Sequence, residues 1–292
     1  MCRFIAYLGH PLLISKLVTE PVHSLIHQSY SSRERPVPLN GDGFGVAWFA
    51  PEFSPRPALF KDTTPAWNNE NLRELARVTP SRCILAHVRA ASPNSSVQRL
   101  NCHPFAHENL AFMHNGTLAG FSQWRRALLA ELSDEAFNVI KGSTDSEHAF
   151  ALLWDFYRSS TLEHAKERLC QSVQSTIARL EELKAAAGVS DCSFFNFAIA
   201  DGEYLVTTRH SSSPEQPAAS LHYTTGTRLR CQDGNILLAR DDENPDVVLV
   251  ASEETSPGFC WSILPDNHIL LADRAGQVEV RALVPAAAML PA

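Results

Sequence analysis

The nine residues "RCILAHVRA" (82–90) constrain the fold more than any other stretch. Their apolar interior is continuous rather than alternating, so they read as a strand covered on both faces. Such a strand has to lie inside a layered structure. Other strand-like runs flank it. "RFIAYL" (3–8) reads as a buried strand, and "GDGFGVAWF" (41–49) opens on glycine punctuation and ends as a strand that "PALFKD" (57–62) can pair with as a hairpin. "ENLAFMHNGTL" (108–118) reads as a strand running into a turn at Asn115-Gly116. Helix signals lie elsewhere. Residues 12–29 read as mostly helical, broken near Pro21. "STDSEHAFALLWDFY" opens with Ser143 and Thr144 as N-cap candidates and acidic residues in the first turn. Over about 161–187, Leu169, Val173, Ile177, Leu180 and Leu183 recur at helical spacing. After Gly188 strands return: "FFNFAIADGEYLVTTRH", "SLHYTT", "NILLAR", "VVLVAS", "HILLAD" and "QVEVRAL", with a tight turn at Asp201-Gly202. Strands, then helices, then strands predict an α+β protein: two antiparallel sheets with helices covering the outside.

Charge and cysteine usage exclude several function classes. The net charge is −7 and no long Lys/Arg run occurs, so neither nucleic acid nor an anionic membrane is an expected partner. No apolar stretch is long enough to span a bilayer, and the short apolar start interrupted by Pro11 is a poor secretion signal. The seven cysteines are scattered, odd in number and without a CxxC pair. That pattern fits a reducing, cytoplasmic setting better than a disulfide framework. No linker-like composition divides the chain, so 2–292 is expected to be one domain.

Four short stretches carry candidate chemistry. Cys2 follows the initiator methionine. A thiol has an ordinary pKa of about 8.5 and an α-amine one of about 7.7–8.0. Removal of Met1 would therefore put nucleophile and base on one residue. Arg89 ends the apolar strand, where a guanidinium can grip a carboxylate through two parallel hydrogen bonds. In "FMHNGTL" (112–118) the Asn115 amide and the Gly116 N–H can point at one spot as an oxyanion hole, although Asn-Gly alone reads as a turn. Asp145 sits in the first turn of a helix, welcome there as an anion and also able to bind an ammonium. Together these describe a glutamyl pocket: Arg89 for the α-carboxylate, Asp145 for the α-ammonium, and a γ-carbonyl between Cys2 and the Asn115/Gly116 donors.

The segments "MCRF", "GDGFGVAWF", "AHVRA", "NCHPF", "HNGTL" and "STDSE" occur in one order. In this the chain resembles the class II glutamine amidotransferases of the N-terminal-nucleophile (Ntn) hydrolase superfamily. The resemblance covers residues 2–150 directly and residues 151–285 in outline. It implies an αββα four-layer sandwich and assigns Cys2 as nucleophile, Asn115 and Gly116 as oxyanion hole, and Arg89 and Asp145 as glutamyl clamp. It gives His103 a supporting role and makes Gly43 and Gly45 backbone glycines beside the nucleophile. It implies no cofactor and no resident metal. Where relatives that use free glutamine often carry an aromatic residue after the arginine, this chain has Ala90. It resembles the short stand-alone members, which include the γ-glutamyl hydrolase of ergothioneine biosynthesis and a glutathione-degrading partner subunit. The expected substrate is a small γ-glutamyl amide, with an acceptor enzyme or partner subunit as the alternative. His87, Cys102, His103, His107 and His114 fall within one short span, which leaves a zinc site as a remoter alternative.

Overall fold

A computed structural model describes residues 2–34, 39–92, 95–239, 245–256 and 261–283. Six strands precede the main helices: β1 (Arg3–Leu13), β2 (Phe44–Trp48), β3 (Ala58–Asp62), β4 (Pro80–Val88), β5 (Phe105–His107) and β6 (Leu110–Thr117). Eight follow them: β7 (Phe194–Ala200), β8 (Tyr204–Arg209), β9 (His222–Gln232), β10 (Asn235–Ala239), β11 (Val247–Ala251), β12 (Ser262–Ile263), β13 (His268–Asp273) and β14 (Val278–Ala282). Helices α1 (Ser15–Val18), α2 (Leu25–Tyr30) and α3 (Glu70–Val78) lie among the early strands. Helices α4 (Phe121–Glu131), α5 (Asp134–Phe137), α6 (Asp145–Ser159) and α7 (Ala165–Ala186) fill the gap between β6 and β7.

The strands form two antiparallel sheets. One has the order β10-β9-β11-β1-β4-β2-β3, with β12 on β9, and the other β14-β13-β8-β7-β6-β5. Period-two alternation then sorts the side chains into layers. On β1, Phe4, Ala6 and Leu8 meet Met113, Ala198 and Leu270 of the other sheet. The intervening Ile5 and Tyr7 face Leu17, Leu25 and Leu72 of α1–α3. On the far side Phe112, Phe197 and Leu271 pack under Trp124, Phe150 and Leu169 of α4, α6 and α7. Each fully buried Leu or Phe contributes about 1.5–3 kcal/mol to these interfaces. The result is the expected αββα sandwich, and β4 and β1, the continuously apolar strands, sit in the middle of their sheet.

Two expectations need correction. Residues 12–13 are strand, not helix, because β4 continues alongside: Leu12 pairs with Ser81 and Leu13 with Pro80, past a register shift that accommodates Pro11. Asn115 and Gly116 are not a turn. They stay in β6, paired with Asn196 and Phe195 of β7, a partner too distant in sequence to be read from local pattern.

Candidate active site

The site forms where the ends of β1, β4 and β6 meet the start of α6. Arg3 pairs with Val88, which brings Cys2 beside the residues that follow β4. The Ala90 N–H donates to Cys2 Sγ at 3.4 Å, and the thiol lies 3.6 Å from the Ala90 carbonyl. Cys2 is half-buried, while Arg89 is buried, its Nη2 donating to Ser95 Oγ (2.7 Å) and its Nη1 to the Ser96 carbonyl (3.2 Å).

Helix α6 starts where Thr144 accepts the Glu147 N–H at 3.1 Å, an ordinary N-cap. That cap aims Asp145 back at β6. Its carboxylate accepts the Leu118 N–H (2.9 Å) and the Ser146 N–H (2.8 Å). Cys2, Arg89, His103, Gly116 and Asp145 line one cleft of about 250 Å³. That is near the small end of ligand pockets, roughly 300–1,000 Å³. Asn115 is buried and does not line the cleft, although its neighbours His114 and Gly116 do; its Nδ2 lies 3.5 Å from Ser252 Oγ. A larger opening of about 700 Å³, by Arg56 and His107, contains none of these residues.

The resemblance makes Gly43 and Gly45 backbone glycines beside the nucleophile; the Gly43 carbonyl accepts the Arg89 N–H at 2.8 Å, one residue before the peptide whose N–H donates to Cys2 Sγ. They belong to β2 and its approach, on the far side of β4 from β1. Gly43 has φ +111°, and a Cβ there would stand 2.6 Å from Cys102 Sγ; at Gly45 it would stand 2.2 Å from the His103 carbonyl. Their role is to let the Cys102-His103 segment approach the sheet.

His103 is buried on the cleft wall and stacks on His87 with ring centroids 4.3 Å apart. Its ring nitrogens make no hydrogen bond among the described residues. Burial pushes His87 down to about 3 and His103 well below its ordinary value, so both are neutral in the fold. Each titrates near 6.5 when the chain unfolds. Below that pH the unfolded chain binds more protons, so stability complete above about pH 6.5 is lost as the pH falls toward 3, at about 1.4 kcal/mol per unit from His87 alone. We expect the melting temperature to drop between about pH 7.5 and 5.5. Identical melting across that range in wild type, or the same drop after His87→Phe, would contradict this assignment.

The sequence offers His114 only as a zinc-ligand candidate, yet it lines the cleft. Its Nε2 lies 2.8 Å from the Phe194 carbonyl and its Nδ1 2.9 Å from Ser146 Oγ. A carbonyl can only accept, so Nε2 carries the proton. Burial pushes the imidazole down despite the nearby Asp145, so Nδ1 accepts from Ser146. The Ser146 hydroxyl, 3.2 Å from Asp145 Oδ1, thereby donates to His114 instead, and that carboxylate oxygen, which accepts the Ser146 N–H, keeps a lone pair for a cation. Among the described residues no group of three or more metal-ligating side chains is placed to hold an ion. The zinc alternative therefore gains no support, since His87 and His103 stack on each other and His107 packs edge-on against Trp154. No helix among the described residues is long and apolar enough to cross a membrane.

Residues 12–290 match the model of the family "Glutamine amidotransferases class-II". The chain belongs to the class II glutamine amidotransferases. This amidotransferase is 40% identical over 290 residues to "Probable glutamine amidotransferase DUG3" of Saccharomyces cerevisiae, covering 92% of this chain and 81% of the yeast protein. It is 27% identical over 271 residues to the γ-glutamyl-hercynylcysteine sulfoxide hydrolase of Mycolicibacterium smegmatis, covering 92% and 95% of the two chains. Among solved structures, a glutamine aminotransferase class-II domain protein from Silicibacter pomeroyi superposes with a TM-score of 0.65 at 27% identity, over 97% of this chain and all of that one. The enzyme is an amidohydrolase with the Ntn-hydrolase sandwich. The family match begins after Cys2, so the roles of individual site residues rest on geometry and chemistry.

Proposed function

We propose that this amidotransferase hydrolyses γ-glutamyl amides through a γ-glutamyl thioester on Cys2. The observation that carries the reading is the shared cleft: a thiol, a buried guanidinium, a carboxylate at a helix start and a strand glycine face one space sized for an amino acid. Arg89 binds the α-carboxylate by exchanging its Ser95 and Ser96 contacts for two charge-assisted bonds. Asp145 binds the α-ammonium. With Met1 removed (it lies outside the described residues), the Cys2 amine takes the thiol proton. The sulfur attacks the carbonyl carbon of the γ-amide, and Gly116 N–H and Asn115 Nδ2 hold the oxyanion. The C–N bond breaks as the amine collects that proton. Water then cleaves the thioester to glutamate and the free thiol. His103 forms the wall beside the reacting carbon.

The leaving group is proposed to be larger than ammonia. Ala90, beside the Cys2 sulfur, presents only a methyl group where an aromatic residue would close the cleft. One relative is named for a γ-glutamyl sulfoxide conjugate. Glutamate release should therefore be screened over L-glutamine, glutathione and γ-glutamyl sulfur compounds, with no other protein added. We expect the highest kcat/KM with a conjugate. Turnover of glutamine alone would return the leaving group to ammonia, and glutamate release only on adding a second protein would make the chain a partner-dependent subunit.

A further inference from the structure

We infer that Ser252 and Glu253, the two residues after β11, form a positioning brace that sets Cys2 and Asn115 relative to each other. The inference rests on the proposed roles of those two residues.

A nucleophile on the first residue of a mature chain has a mechanical problem. Chain termini fray unless tied down, and a misplacement of about 1 Å can cost on the order of 10²-fold in rate. Among the described residues, the Cys2 thiol hydrogen-bonds to the Ala90 peptide groups. The rest of the anchoring comes through Arg3, whose Nη1 donates to the Cys2 carbonyl at 2.9 Å. Arg3 is buried, and its Nε makes a 2.6 Å ion pair with Glu253, also buried. That carboxylate further accepts from His23 Nε2 (2.7 Å), the Ser32 hydroxyl, and the amides of Arg33 (2.9 Å) and Glu34 (3.1 Å). Burial alone would raise the Glu253 carboxyl. The donors from His23, Ser32 and Arg33 and the charge of Arg3 outweigh it and hold it well below the carboxylate range. A permanent anion with donors on every side cannot shift without breaking several bonds at once, so the guanidinium and the Cys2 carbonyl are fixed with it.

Ser252 makes the second half of the brace. Its N–H donates to the Phe4 carbonyl at 3.0 Å, and its Oγ accepts the Phe4 N–H at 3.1 Å. The same Oγ faces the Asn115 amide at 3.5 Å, across the gap between the two sheets. With Nδ2 on that side, Asn115 Oδ1 is buried with no partner among the described residues. Oxygen and nitrogen of an amide are distinguished by their partners. The Ser252 hydroxyl has already accepted the Phe4 N–H, so its own proton is free to donate. Turning the Asn115 amide end for end gives Oδ1 that proton and places Nδ2, with its two donors, where the orphaned oxygen stood. Ser252 thus decides that Asn115 presents donors, as an oxyanion hole needs, while also gripping the strand that carries the nucleophile.

The test is steady-state glutamate release by S252A and E253Q, using whichever of L-glutamine and glutathione the wild type turns over faster, with Cys2→Ala as control. Rates are expressed per folded protein from thermal melts. Each variant should lose about 10–100-fold in kcat, with KM within about threefold because Arg89 and Asp145 are untouched. Wild-type kcat in both, a loss confined to KM, or a loss that merely follows the unfolded fraction would overturn the brace and leave the Cys2 reading standing. Activity surviving Cys2→Ala would instead overturn the reading beneath it.

Discussion

Replacing Cys2 by alanine lowers glutamate release by on the order of 10⁴-fold or more, with KM and melting temperature little changed. Removing a catalytic nucleophile typically costs this much, because what remains is binding and oxyanion stabilisation acting on water. The fold has no reason to suffer. Cys2 is only half-buried, and the Arg3–Glu253 pair that ties down this end of β1 does not use the thiol. Serine at the same position keeps an acceptor for the Ala90 N–H but offers a far weaker nucleophile, so it should rescue little. Glutamate release and thermal melts of the three proteins check this. A Cys2→Ala enzyme within tenfold of wild type would mean that another group attacks the amide.

Gly116→Ala is the second large effect, and it acts on both activity and fold. A Cβ at Gly116 would stand 2.0 Å from the Phe194 carbonyl and 2.3 Å from His114 Nε2. Neither neighbour can yield cheaply. The carbonyl belongs to the β6–β7 ladder and the imidazole is locked between Phe194 and Ser146. Forcing extra volume into such a site costs about 1–3 kcal/mol or more. The strand must move outward, which carries the Gly116 N–H away from the cleft. Losing an oxyanion donor costs roughly 10²–10³-fold. We expect a lower melting temperature together with at least a hundredfold fall in kcat, measured by calorimetry and glutamate release. A folded Gly116→Ala enzyme with wild-type kcat would remove Gly116 from the oxyanion hole.

The sequence disclosed the fold wherever local pattern and pairing agree. "RCILAHVRA" and "VVLVAS" are apolar on both faces because each lies mid-sheet between two layers, as β4 and β11 do. A cap at Ser143 or Thr144, which the structure places at Thr144, and the position of Asp145 are readable because helix starts are local chemistry. Where long-range pairing decides, local reading fell short. β1 runs on to Leu13 because β4 lies beside it, and Asn115-Gly116 is held straight by β7. Gly43 and Gly45 are legible as backbone glycines beside the nucleophile, while the Cys102-His103 segment that packs on them is not. The brace left only faint signals, an arginine opening an apolar strand and a glutamate closing another. Nothing in the chain order says that Arg3 and Glu253 meet. The matching of sheet registers brings them together.

The central claim is that the Cys2 sulfur carries the γ-glutamyl group. The most direct measurement is mass spectrometry of enzyme quenched with acid during turnover of its fastest substrate, with the adduct located by peptide mapping. The account predicts an amino-terminal peptide that begins at Cys2 and is heavier by one γ-glutamyl group, absent when Cys2→Ala enzyme is treated identically. An active enzyme that retains Met1, or an adduct on any residue other than Cys2, would contradict it.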